Sequence, residues 1–461
     1  MMWIILLGIV WGCTGTEELS PGEGVEVSET LQEANGIPLE IRSFPSSIGR
    51  SHQLDRGQLE DQPDIVLVVI DTLRADHLSL YGHSRQTSPN LDAIGRDGVW
   101  FSRAYAHSGW TLPSFSSLFS GLLPHQHGVG RDRSNIHLFG RLSPEVQTLA
   151  ELLGDGGYRT AAVMNNTFLA PEFGLSQGFE SYLWQGASNQ DFRSAEDTVD
   201  AGLAWLDTSE QPAFLVLHFM EPHANYDPRE AVRHRFTKAG EAPIPVPFTY
   251  QDGQREEPYS ELDIEYLKAL YDEEILDADL GVGHLVESLR DRTRFDQTVL
   301  VVTSDHGEEF WDHGRFEHGQ NLYSELTRVP LVMHGPGLNG GEVDVVVEHL
   351  DLFETLLEIG GMESPVPAGE SLLGLLEMLS DPSYGAQLAR RTAVSDNTLY
   401  GPPRVSITDY GARMLLDQAR GRGEVWKVDE DGLERSQLSG SQQQTEYERL
   451  QSRIFARRGN L

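Results

Sequence analysis

Five apolar runs set the outline of what this chain can fold into. They are DIVLVVID (64–71), GYRTAAVM (157–164), AFLVLHFMEPH (213–223), TVLVVTSDHG (298–307) and RVPLVMHGPG (328–337). A strand with one wet face alternates apolar and polar residues, whereas a continuous apolar run suits a parallel strand covered on both faces. Helical stretches separate the runs: TSPNLDAIGRDG (87–98), VQTLAELLGDGG (146–157), SAEDTVDAGLAWLD (194–207) and IEYLKALYDEEILDADLGVGHLVESLRD (264–291). The alternation predicts an α/β fold, an open and mostly parallel sheet sandwiched by helices. In such sheets ligands bind beyond the carboxyl ends of the strands, so the polar residues that close the runs matter most. Those residues are Asp71, His223 and the pair Asp305 and His306.

The chain has 461 residues, enough for one large domain with an appendage. Its net charge of −36 disfavours nucleic acid and anionic membrane surfaces as partners. The same charge means that an anionic substrate needs a local cation to reverse the field. Residues 2–12, MWIILLGIVWG, form an apolar run too short to span a bilayer, and IVWGC looks like a lipobox. The expected division is a signal peptide (1–12), a lipid-attached tether (13–62), a catalytic domain (63–380) and a C-terminal subdomain with tail (381–461). Export to the cell envelope follows, with membrane contact only through a lipid on Cys13. Short strand-like pieces, TAVSD, RVSITDYG, ARMLLD and GEVWKVD, predict a small antiparallel sheet in the last part. Residues 227–260 read as a long irregular excursion on the substrate side.

One helix start stands out. In SGWTLPSFSSL (108–118), Pro113 suits a first helical position, and Phe115, Leu118, Phe119 and Leu122 fall at i, i+3, i+4 and i+7. Gly121 marks the end. Thr111 then lies beside the positive end of the helix, a place for an N-cap or for an anion site. Asp71 and Asp305 close apolar strands, where a lone carboxylate is costly to bury. With His306 they form a hard, oxygen-rich donor set for one divalent cation, and Thr111 completes the shell as an alkoxide. The plain alternatives are a helix cap at Asp71 and a turn at TSDHG.

Taken in order, VLVVIDTLRADHLSLYG (66–82), WTLPSFSSLFSGLLPHQHGV (110–129), LAELLGDGGYRTAAV (149–163), HFMEPHANYDP (218–228) and TSDHGEEFWDHGRFEHGQNLYSELTRVPLVMHGPG (303–337) resemble the sulfatase family of the alkaline phosphatase superfamily. The resemblance implies an alkaline-phosphatase-like core with a small C-terminal antiparallel subdomain, hydrolysing or transferring a sulfuryl or phosphoryl group. By motif, Asp71, Asp305 and His306 fall on metal ligands, Thr111 on the nucleophile and His223 on a contact to the substrate oxyanion. His318 falls near a second basic contact, where it does likewise or protonates the leaving group; His313 is a weaker candidate. One divalent cation is expected, with calcium, zinc and manganese all compatible.

The departures from the family are equally specific. The family's Cys/Ser-x-Pro-x-Arg frame reads Thr111, Leu112, Pro113, Ser114, Phe115 here, and threonine cannot be oxidised to formylglycine. Thr72 replaces the second Asp of an Asp-Asp pair, and Met164, Asn165, Asn166 and Thr167 stand where many members carry Gly-Lys-Trp-His. Asp305-His306 and a threonine nucleophile are nearer the phosphodiesterase and phosphoethanolamine-transferase branches. Glu221-Pro222-His223 does not supply a second metal set. The expected function is therefore metal-dependent cleavage of an anionic sulfate ester through Thr111. The alternatives are a phosphomonoester or phosphodiester hydrolase or phosphotransferase and, third, a non-catalytic lipid-tethered binding protein. Arg131, Arg133 and Arg141 are either substrate-steering cations or solvated surface.

Overall fold

The computed structural model describes residues 30–32, 38–40, 53–59 and 62–458, apart from 133–134, 136–137, 188–190, 241, 254–258, 366–368 and 430. The expected signal peptide, Cys13, most of the tether, and Arg133 lie outside the described residues. Nine strands make the main sheet: β1 (Asp64–Ile70), β2 (Val99–Tyr105), β3 (Arg159–Asn165), β4 (Ser181–Gln185), β5 (Ala213–Phe219), β6 (Thr298–Ser304), β7 (Arg328–Val329), β8 (Leu331–His334) and β9 (Gly341–Glu348). Across the sheet the order is β9, β2, β7 with β8, β6, β1, β5, β3, β4. All run parallel except β7 and β8, which lie antiparallel between β2 and β6.

That exception corrects the reading of 328–337 as one more parallel strand. Burial on both faces sets the composition of such a run, and burial says nothing of direction. Between β6 and β7 lie a short antiparallel hairpin (Glu309–Phe310 with Phe316–Glu317) and one helical turn (Ser324–Thr327) in place of a long crossover helix, and the chain returns antiparallel to β6. β2 and β9 escape the sequence pattern because Ser102, Arg103, Glu342 and Asp344 interrupt their apolar residues.

Among the described residues, seven helices of at least seven residues cover the faces: α1 (Pro89–Asp97), α2 (Thr111–Ser120), α3 (Leu149–Asp155), α4 (Ala195–Leu206), α5 (Glu261–Asp291), α6 (His349–Ile359) and α7 (Leu372–Leu379). Along β1, Ile65, Leu67 and Val69 pack into one core with Phe115 and Phe119 of α2 and Leu356 of α6. Val66, Val68 and Ile70 pack into the other with Val199 of α4 and Ile275 of α5. The period-two alternation thus feeds two separate cores, as a doubly covered sheet requires.

The chain ends in five antiparallel strands, β10 (Ala393–Asp396), β11 (Arg404–Thr408), β12 (Ala412–Asp417), β13 (Arg422–Val428) and β14 (Glu434–Gln437), paired in chain order. Helix α8 (Gly440–Arg458) packs Leu450 and Ile454 onto this sheet, which has its own core. Among the described residues no helix is long and apolar enough to cross a membrane.

Candidate active site

The carboxyl ends of β1, β2 and β6 meet in one place. Asp71 follows β1, and its backbone N–H donates to Phe219 O of β5 at 3.0 Å. Thr72 then takes a left-handed backbone (φ 56°), an uncommon state for a β-branched residue. The turn aims Thr72 N at Asp305 Oδ1, 3.4 Å away, and lets Thr72 O accept from Tyr271 Oη at 2.6 Å. After β6, the turn at 305–307 runs so close to its neighbour that a Cβ on Gly307 would lie 2.0 Å from Glu325 O. Only glycine fits there.

Thr111 is the first residue of α2, and Trp110 holds the cap position with extended backbone. This moves the helix start ahead of Pro113, which occupies the third position rather than the first. A proline is tolerated there because the first four N–H groups of a helix have no partner within it. The N-cap alternative for Thr111 fails. Its Oγ1 instead lies 3.3 Å from His306 Nε2, with the residue 2 % exposed. Ser114 Oγ donates to Asp305 O at 2.5 Å and locks the helix onto the turn. Asp71, Asp305 and His306 each place one ligand atom within 4.8 Å of the others, and all three are buried.

The pairing around these atoms is uneven. Asp71 Oδ2 accepts from Asn166 Nδ2 at 2.7 Å, and Asp305 Oδ1 accepts from His306 N at 2.9 Å. Asp71 Oδ1 and Asp305 Oδ2 have no hydrogen-bond partner, and His306 Nε2 lies 3.8 and 3.4 Å from them. His306 Nδ1 donates to Gly307 O at 2.9 Å, which leaves Nε2 with a free lone pair. Burial, and then the charge of His318, push His306 down to about 3, so the ring is neutral. Burial, reinforced by the charge of Asp71, pushes Asp305 well above the usual carboxylate range. Burial pulls Asp71 the same way, but His218, His223 and His306 outweigh it and hold Asp71 below that range. Two buried carboxylates with orphaned oxygens facing a neutral imidazole fit a divalent cation.

Two more histidines stand above the cluster. The rings of His306 and His318 are 4.6 Å apart, and those of His318 and His223 are 5.1 Å apart. His318 Nδ1 meets Glu308 Oε1 at 3.0 Å, and Tyr226 Oη donates to Glu308 Oε2 at 3.0 Å. Burial lowers the His318 pKa, but Glu308 more than offsets it and raises the ring to about 9. A protonated imidazole therefore faces the site at neutral pH. His223 Nδ1 lies 2.6 Å from Ala224 O.

Thus Asp71, Thr111, His223, Asp305, His306 and His318 converge. His313 does not join them. It meets Glu325 Oε1 at 2.6 Å and stacks on Tyr323 with centroids 3.6 Å apart. Arg141 is exposed, and Arg131 donates to Leu399 O at 3.1 Å. Sequence reasoning missed His218, whose Nε2 is 3.3 Å from Asp71 Oδ2, and the support from Asn166 and Glu308. The signal for His218 was a single imidazole in the otherwise apolar run AFLVLHF.

A sulfatase family model matches residues 63–362. Arylsulfatase K of Xenopus laevis is 24 % identical over 375 residues, covering 71 % of this chain and 68 % of that protein. The Delta 4,5-hexuronate-2-O-sulfatase of Bacteroides thetaiotaomicron is 24 % identical over 361 residues, covering 68 % of this chain and 72 % of that one. Among solved structures, the phosphonate monoester hydrolase of Agrobacterium radiobacter shares the fold with a TM-score of 0.70 at 20 % identity, over 86 % of this chain and 95 % of that one. The matched span runs from the start of β1 past α6 and includes every residue of the cluster, and the chain belongs to the sulfatase family of metal-dependent sulfuric ester hydrolases.

Proposed function

We propose that Thr111 is the nucleophile of a sulfate ester hydrolase and that Asp71, Asp305 and His306, with Thr111 Oγ1, hold one divalent cation. The observation that carries this reading is the position of Thr111 Oγ1, 3.3 Å from His306 Nε2, beside two buried carboxylate oxygens without partners. A cation bound there supplies Lewis-acid stabilisation and favours the alkoxide of the threonine. Oxygen and imidazole donors suit calcium, zinc or manganese. Thr111 Oγ1 attacks sulfur and the S–O bond to the alcohol breaks. His318, protonated at neutral pH, delivers a proton to the departing oxygen, and His223 stabilises charge on the transferred group. A threonine sulfate has no second hydroxyl to expel sulfate, so water must clear it.

The sulfatase names of the relatives support a sulfate ester as substrate. A second reading, phosphoester hydrolysis or transfer, is favoured by the threonine itself, and a phosphonate hydrolase shares the fold. The test is turnover of a sulfate monoester against phosphate mono- and diesters, with metal content measured on the same sample and the adduct on Thr111 sought by mass spectrometry. Higher kcat/KM on the sulfate ester is expected. Higher kcat/KM on the phosphoesters selects the second reading, and no turnover and no adduct overturns both. The catalytic unit is taken as 63–380 and the C-terminal subdomain as 381–461. The apolar run before Cys13 supports an exported, lipid-tethered protein of the cell envelope.

A further inference from the structure

The turn after β1, helix α5 and the C-terminal sheet border a cavity of about 580 Å³, and none of Asp71, Thr111, His223, Asp305, His306 and His318 lines it. One end is organised by Asp272. Its carboxylate draws in His77, His83 and Arg85, and each of the three spends one nitrogen on it. All three side chains line the cavity. Among the described residues, His77 Nε2, His83 Nδ1, Arg85 Nε and Arg85 Nη2 have no hydrogen-bond partner. Lys268 of α5 lines the same end, where its ammonium makes no hydrogen bond and lies 3.6 Å from Asp312 Oδ1.

The end towards the C-terminal sheet has the opposite character. Glu325 Oε1 meets His313 Nδ1 at 2.6 Å, and among the described residues Oε2 has no hydrogen-bond partner. Glu434 of β14, itself paired with Arg413, adds its charge beside Glu325, and Trp426 of β13 stands edge-on to the His313 ring with centroids 5.4 Å apart. The other charges around the cavity are spent: Asp76 and Asp312 on Arg74, and Arg435 on Asp429. Unspent donors therefore gather at one end and an unspent carboxylate oxygen at the other. His77 and Glu325 are only 5 % and 4 % exposed, and polar atoms so nearly buried are normally partnered. An anion alone leaves Glu325 unanswered, and a cation alone leaves Arg85 and Lys268 unanswered.

We propose that this cavity binds a small zwitterion, its carboxylate at Arg85 and Lys268 and its primary ammonium at Glu325 beside the Trp426 ring. The site is separate from the catalytic cluster and does not depend on hydrolysis at Thr111. The experiment is calorimetric titration of the full chain with glycine, γ-aminobutyrate and ε-aminocaproate, which differ in the span between their two charges. Butyrate and butylamine, with one charge each, are the comparison. At least one of the amino acids binds at one site per chain, about tenfold or more tighter than butyrate and butylamine. Lys268→Met brings its affinity to within about threefold of that of butylamine, and Glu325→Gln to within about threefold of that of butyrate. The Lys268 side chain is 22 % exposed and loosely paired, so its replacement leaves the fold intact, and the urea midpoint checks Glu325→Gln. Thr111→Ala binds as the wild type does. No saturable binding of any amino acid, binding no tighter than that of butyrate or butylamine, or an affinity that Lys268→Met leaves unchanged overturns the proposal and makes the cavity a water-filled one. Loss of binding in Thr111→Ala places the probe at the catalytic cluster and overturns it equally.

Discussion

Among the described residues two clusters bring three metal-ligand atoms within 4.8 Å of one another: Asp71, Asp305 and His306, and His77, His83 and Asp272. Their ingredients are nearly the same, and their electrostatics are opposite. In the second cluster one carboxylate meets three donors. Asp272 Oδ1 is 2.6 Å from His77 Nδ1, and Oδ2 is 2.9 Å from His83 Nε2 and 2.6 Å from Arg85 Nη1. Charge and lone pairs are balanced without an ion. In the first cluster two carboxylates share one buried space, and Asp71 Oδ1 and Asp305 Oδ2 have no partner. Access does not explain the difference, because His77, His83 and Arg85 line a cavity of about 580 Å³. The comparison teaches that a candidate metal centre is better marked by buried carboxylate oxygens left without partners than by the types of ligand present.

The largest effect that tests this contrast is at Thr111. Thr111→Ala should lower kcat at least about a thousandfold while stability changes by no more than about 1 kcal/mol. Activity within tenfold of wild type would remove Thr111 from the chemistry. Next comes a pair of substitutions that should behave oppositely. Asp305→Asn should lose bound metal on gel filtration. Asp272→Asn should keep it, yet lower unfolding free energy by about 3 kcal/mol, because Arg85 and two imidazoles lose a buried counter-charge. Metal analysis and denaturant unfolding on both variants read the result. Loss of metal from Asp272→Asn would erase the distinction between the clusters.

How far the site could be read beforehand follows from the same physics. Asp71, Asp305 and His306 were legible because each ends an apolar run at the carboxyl end of a strand, where a charge needs a reason to be. Thr111 was legible from the helix behind it. Strands β2 and β9 were not, since Arg103 and Asp344 break their apolar pattern. That pair is a buried bridge, Nε to Oδ1 at 2.7 Å, and Arg103 Nη2 also donates to Asp429 O at 3.1 Å in the C-terminal subdomain. A charge used to join two sheets looks, in sequence, like a loop. Asn166 was visible only as a departure from a family pattern, because its role depends on a carboxylate 95 positions away. The direction of β7 and β8 was invisible, since burial leaves no mark of polarity along a strand.

Asn166 offers a finer probe of the uneven cluster. Its Nδ2 holds Asp71 Oδ2 at 2.7 Å, and its own Oδ1 accepts from Phe168 N at 2.8 Å. Fixing one oxygen of Asp71 leaves the other aimed at the shared space. Asn166→Ala should weaken metal binding on the order of ten- to a hundredfold, as loss of an outer partner of a ligand does. Calorimetric titration of the metal-free protein measures it. Unchanged affinity would show that β1 alone orients Asp71.

The smallest effect concerns the balanced cluster and its dependence on pH. Burial works to raise Asp272, but His77 and His83 outweigh it and hold the carboxyl well below its ordinary value of 3.8. A carboxyl whose folded pKa is depressed contributes stability that is complete above the unfolded value and is lost as pH falls through the folded one. Wild type should therefore lose its advantage over Asp272→Asn only in acid. Above pH 3.8 the carboxylate is ionised in both states, whereas below it the unfolded chain takes up a proton that the folded cluster resists. The difference in unfolding free energy between the two proteins should shrink by about 1 kcal/mol between pH 5 and pH 3. Urea unfolding of both proteins across that range is the measurement. A difference that grows on acidification would mean that the folded cluster takes up protons more readily than the unfolded chain, and the balance ascribed to Asp272 would not exist.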